Sequence, residues 1–120
     1  MQSTKSSERA LIGACIIDGD AAKNVVDRVR EDDFDDRECR VVFAAIKELV
    51  KKGTALDIVT ITDKLESSGA LADAGGYANV SAMSSDTPNS INYESYMEIV
   101  IGNSTYRSLR TVAGKVAELS

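Results

Sequence analysis

The chain contains no histidine, no tryptophan and a single proline, Pro88. Without histidine, the commonest general base and metal ligand near neutral pH is missing, which excludes His-based triads and Cys2His2 zinc sites. The two cysteines, Cys15 and Cys39, lack the paired spacing of metal-binding motifs, so no metal site is expected. Both lie in apolar helical patterns and read as small buried hydrophobes kept as reduced thiols. The sequence leaves a disulfide between them open. Aromatic residues make up only 5 % of the chain, so a core must be built mainly from Ile, Leu, Val and Ala. Apolar runs stay far below the ~20 residues of a membrane span. The start, Met1 to Ser7, is polar and lacks the apolar stretch of a signal peptide. No membrane association is expected, and a cytoplasmic location is.

What remains is a chain of 120 residues with 43 % hydrophobic content, the size and composition of one domain. Abundant Ala, Glu, Lys and Arg favour helices. The net charge is −5, and only Lys51 and Lys52 are adjacent among the basic residues. An acidic surface without a basic cluster repels phosphate backbones, so direct nucleic-acid binding by this segment is not expected.

The pattern along the chain predicts residues 1–6 as a flexible tail. Ser7 is then placed to cap a first helix burying Leu11, Ile12, Cys15 and Ile16. Gly13 within that helix marks close packing against a neighbour. Asp18-Gly19-Asp20 is a turn ending in a cap. A second helix follows from Ala21 to about Arg30, with Val25, Val26 and Val29 inward. The acidic connector Glu31 to Asp36 carries one large apolar residue, Phe34, which plugs the core while the carboxylates face water or cap the next helix. Paired carboxylates can do acid–base chemistry, but nothing nearby buries or pairs these.

The third helix, Arg37 to about Lys52, carries the stripe Val41, Val42, Ala45, Ile46, Leu49 and Val50. Acids precede it and lysines end it, matching the helix dipole. Between Gly53 and Gly69 lies a fourth helix, Ile58 to Ser68, capped by Asp57 and stopped by glycine. Its β-branched start resembles a strand, but the Asp cap and Leu65 favour a helix. Gly75-Gly76 lacks the Lys and spacing of a phosphate-binding loop and reads as the tight start of a fifth helix to about Met83. Asn89 or Ser90 is placed to cap a long last helix reaching the C-terminus, with apolar positions from Ile91 to Leu119. The poor helix formers Gly102-Asn103-Ser104-Thr105 predict a weakened or kinked middle. The stripe Leu109 to Leu119 has no later partner in the chain and must be covered by something.

Taken in order, these pieces resemble the N-terminal domain of DnaB-type replicative DNA helicases. Glu8-Arg9-Ala10-Leu11-Ile12-Gly13 looks like that family's opening helix, and Asp32-Asp33-Phe34 like its connector. Arg40-Val41-Val42-Phe43, Leu56-Asp57-Ile58-Val59-Thr60-Ile61 and the spaced glycines Gly69, Gly75 and Gly76 follow in register. Thr87-Pro88, Asn92-Tyr93, Tyr96, Ile99-Val100 and Arg107 resemble the start of its long hairpin helix. The resemblance implies an all-α fold: a helical head of about five helices over residues 7–86, then one long helix over 87–120, the first arm of a helical hairpin. It implies a collar domain of a hexameric helicase that pairs with itself, builds the ring and docks the primase, with a helicase loader as a further partner. ATP and Mg belong to a RecA-like ATPase domain of the parent; no Gly-x-x-x-x-Gly-Lys-Ser/Thr loop occurs here, so no catalytic or cofactor-binding residue is expected in this segment. Asn79 stands where the family often has tyrosine. The candidate interface residues are Tyr77, Asn79, Tyr93, Tyr96, Tyr106, Leu109, Val112 and Val116, tyrosine being common where one side is apolar and the other wet. The competing reading is a standalone helical adaptor that modulates a helicase.

Overall fold

The computed structural model describes residues 4–119. Among these, the fold is all-helical. The helices are α1 (Thr4–Ile17), α2 (Gly19–Arg28), α3 (Arg37–Lys51), α4 (Ile58–Ser67), α5 (Gly76–Ser85) and α6 (Tyr93–Leu119), with a 3-10 turn at Glu31–Asp33. The first five form the head, and α6 carries the chain away from it, giving extents of 51 × 32 × 27 Å. Helix α1 is the hub: it packs against α2, α3, α5 and α6, while α4 closes the head against α3 and α5.

Local rules set most boundaries. Asp57 accepts a hydrogen bond from Thr60 N at 2.9 Å, and the Thr60 hydroxyl accepts from Asp57 N, a reciprocal box that starts α4. Asp36 caps α3 by accepting from Cys39 N. At the ends of α3 and α4, Gly53 and Gly69 take φ of 71° and 73°. There the N–H of Thr54 reaches Leu49 O and that of Ala70 reaches Leu65 O, which satisfies the last carbonyls. Gly75, at φ 90°, is the left-handed residue that starts α5.

Three local expectations need correction. Helix α1 begins by Thr4, so residues 4–6 of the expected tail are helical and Ser7 is buried inside the helix rather than capping it; the rest of that expectation, Met1–Ser3, lies outside the described residues. Asp18, not Asp20, caps α2, accepting from Asp20 N and Ala21 N. Neither Asn89 nor Ser90 caps α6 with its side chain: Asn89 accepts from Ile91 N, and Ser90 donates its hydroxyl to Asp18 at 2.7 Å. Ile91 precedes the helix and is exposed. Helix α6 is continuous through the weak segment Gly102 to Thr105. Those four residues cost about 2–3 kcal/mol of helix propensity against alanine, so contacts with the head must offset the loss.

The core is aliphatic with one aromatic pair. Phe34 inserts from the connector and meets Phe43 with ring centroids 4.8 Å apart. Cys15 and Cys39 are buried free thiols within it. Gly13 faces the end of α5 so closely that a Cβ would overlap the Met83 carbonyl and the Thr87 hydroxyl, which is why the helix carries glycine there.

The unexpected core member is Glu8, a charged residue with 0 % exposure. It sits on the same face of α1 as Leu11, Ile12 and Cys15. Its two oxygens accept from the backbone N–H groups of Asp35 and Asp36, both at 2.9 Å. Burial pushes its pKa above the usual carboxylate value of 4.5, while the two amides and then Arg107 pull it partly back.

Two outcomes follow from this core. Glu8→Gln turns one acceptor into an NH2 aimed at a backbone donor and should cost about 1–3 kcal/mol in urea unfolding at pH 7. Because the folded pKa is raised, the native state takes up the Glu8 proton first as pH falls. The wild-type advantage over Glu8→Gln should therefore grow below the folded pKa, reach its full size below 4.5, and diminish as pH rises again; an unchanged difference between pH 7 and 4 would contradict this. Burial also raises both thiols, Cys15 to about 12 and Cys39 upward as well. Neither should react with a thiol reagent in the native state, and both should react in denaturant.

Candidate protein-interaction surface

Arm helix α6 has two halves with different surroundings. In its first half, Met97 and Val100 are buried against the head, and Tyr93, Tyr96 and Ile101 pack on the same core. The Tyr93 hydroxyl accepts from Asn24 Nδ2 at 2.9 Å. Tyr93 and Tyr96 are thus half-buried parts of the head–arm seam, with only their outer edges open to a partner.

In its second half the helix leaves the head. Leu109, Val112 and Val116 are 62 %, 58 % and 60 % exposed, and Leu119 and Tyr106 are exposed as well. Their spacing of three and four residues places them along one face. Arg110 lies over the Tyr106 ring at 5.9 Å, covering its face with a cation. The stripe is therefore an exposed apolar face and not part of the core.

Tyr77 sits in the first turn of α5 with 57 % exposure, displayed by the Gly75-Gly76 start. It is therefore a surface side chain on the head, on a different element from the arm stripe. Asn79 has another role. Its Oδ1 accepts from Arg9 at 2.8 Å, and its Nδ2 donates to Ala74 O at 2.7 Å and to Glu38 at 3.3 Å. Both ends of the amide are engaged, tying α1, α3 and the turn before α5 together, so Asn79 serves the head's interior geometry.

Sequence reasoning missed the seam that fixes the arm. Ser104 donates to Asp33 Oδ1 at 2.7 Å, Arg107 donates to Asp33 O at 2.9 Å, and the Arg107 guanidinium lies 3.7 Å from the Asp35 carboxylate. The signal was present in two places read separately, the acidic connector and the polar run in α6. Among the described residues no group of His, Cys, Asp and Glu is arranged to hold a metal ion. No helix there is long and apolar enough to cross a membrane.

Replacing Asn79 with alanine should lower thermal stability, by about 1–2 kcal/mol, since it strands the Ala74 carbonyl and the Arg9 and Glu38 side chains. A variant as stable as wild type would show that Asn79 is free of the head's framework.

Comparison with known proteins agrees with this architecture. The family model for the DnaB-like helicase N-terminal domain matches residues 1–102. The replicative DNA helicase DnaB of Haemophilus influenzae is 30 % identical over 114 residues, which are 95 % of this chain and 24 % of that protein. That of Treponema pallidum is 32 % identical over 107 residues, covering 89 % and 24 %. The crystal structure of the N-terminal domain of DnaB helicase from Mycobacterium tuberculosis matches with a TM-score of 0.89 at 28 % identity, over 93 % of this chain and 78 % of that one. The chain spans about a quarter of the length of the curated relatives it matches. A helical head with a projecting last helix, matched in sequence and in structure alike, places this chain in the family of DnaB-like helicase N-terminal domains.

Proposed function

We propose that this domain assembles and docks rather than catalyses. It acts as the N-terminal collar of a hexameric, ATP-dependent replicative DNA helicase in the cytoplasm, mediating dimerisation and ring assembly and docking the primase, with a helicase loader as a further partner. ATP and Mg are used by a separate ATPase domain of the parent protein, and this segment neither binds a cofactor nor contacts DNA.

The observation that supports this reading is the exposed stripe Leu109, Val112 and Val116 on a projecting helix. Each such side chain gains about 1.5–3 kcal/mol when fully removed from water. A face of several therefore favours association strongly once a partner supplies a matching surface. Tyr77 on α5 offers a second, smaller contact on the head, suited to a partner that meets both apolar and wet surroundings.

Sedimentation of the chain should show concentration-dependent self-association. Leu109→Asp with Val116→Asp should abolish it while leaving the head's melting temperature unchanged, because neither side chain contributes to the head's core. Strictly monomeric behaviour of the wild type at high concentration would overturn the dimer, and failure to retain the cognate primase in a pull-down with the parent helicase would overturn the docking role.

A further inference from the structure

The weakest stretch of α6 coincides with its strongest polar attachment. Gly102 to Thr105 are poor helix formers, yet the helix is continuous there. At that level Ser104 donates to the Asp33 carboxylate, and one turn later Arg107 donates to the Asp33 carbonyl and faces Asp35. The receiving connector is itself immobilised. Asp33 accepts from Arg30 N at 2.7 Å, Phe34 is in the core, and the backbone of Asp35 and Asp36 is held by buried Glu8. Beyond Arg107 every described side chain of α6 is exposed, so no packing holds the end of the arm in line.

We infer that Ser104 and Arg107 form a clamp on the connector at Asp33 and Asp35 that keeps a latent hinge at Gly102–Thr105 closed, and so sets the direction in which the arm presents its apolar stripe. Clamp and helix propensity are in balance here. The clamp contributes charge-assisted hydrogen bonds in partly buried surroundings. With them in place, the docked half of α6 propagates helix through the weak segment. Once they are lost, the segment keeps only its weak propensity and the packing of Ile101 at its edge, and residues 106–119 become a short helix of the length that is marginal alone in water. A Cβ at Gly102 would meet open space, so an alanine fits there without disturbing the head. The clamp thus converts a flexible tether into a fixed arm, whatever the stripe binds. A partner or modification that competes for Asp33 or for the Ser104 hydroxyl would free the arm.

The test measures the angle of the arm directly. Spin labels are placed on Glu66→Cys in α4 and Lys115→Cys in the arm, both exposed positions, while the buried native thiols stay unlabelled. The distances are measured by pulsed electron resonance on the chain diluted below self-association. The wild-type background should give one narrow distribution. Ser104→Val with Arg107→Gln, which removes the clamp's donors without raising helix propensity at the hinge, should broaden it with new, shorter distances and lower the helical circular dichroism, while the head's melting transition persists. Adding Gly102→Ala, which strengthens the helix at the hinge without touching the head, should restore a narrower distribution and part of the lost helicity. A distribution left unchanged by the double variant overturns the clamp. A broadening that Gly102→Ala does not reverse overturns the hinge at this segment, as does a broad distribution already present in the wild-type background.

Discussion

The buried carboxylate of Glu8 holds together the part of the structure on which the rest depends. An ionised group in an aliphatic core is costly unless its acceptors are filled, and here two backbone amides fill them. Those amides belong to Asp35 and Asp36, between the Phe34 plug and the cap of α3. One side chain of α1 therefore fixes the start of α3, the position of Phe34 and the shape of the connector. Removing the carboxylate would leave two donors facing the core, so the connector has no comparable alternative arrangement.

The connector passes that constraint outward. Its 3-10 turn would be an ordinary surface loop if it only linked two helices. Held by Glu8 on one side, it becomes a rigid receiver for Ser104 and Arg107 on the other. Arg107 also lies close enough to lower the Glu8 pKa through its charge, so core anchor and arm clamp share one electrostatic neighbourhood. The sequence runs through this in an unusual order: a residue in the first helix stabilises a loop that steers the last helix. Local elements are thereby coupled over long sequence separations without a large aromatic core.

For a domain of the DnaB-like N-terminal family, this division of labour is mechanically sensible. The head is a closed helical unit whose polar groups are internally satisfied, with no unpartnered buried side-chain donor or acceptor among the described residues. The second half of α6 is the opposite: its described side chains beyond Arg107 are exposed, with apolar residues along one face. Its stability and its usefulness both come from what lies beside it. A rigid head thus aims an exposed apolar face.

The sequence by itself determined the helices, because caps, glycine stops and apolar spacing act over a few residues. Asp57 with Thr60, Gly53, Gly69 and the Phe34 plug were legible for that reason, as was the apolar face from Leu109 onward. The errors came where a distant residue decides. Ser7 looked like a cap until α1 was seen to begin earlier, and Ser90 is taken by Asp18 across the fold. The bonds of Asn79 to Arg9, Glu38 and Ala74 O were equally out of reach of local pattern. Glu8 stood on an apolar face from the start, but only the position of the Asp35 and Asp36 amides makes its burial tolerable. The continuity of α6 is the clearest case. Propensity alone argues for a break at Gly102–Thr105, and only tertiary contact with a connector some seventy residues earlier in the chain supplies the hydrogen bonds that keep the helix whole.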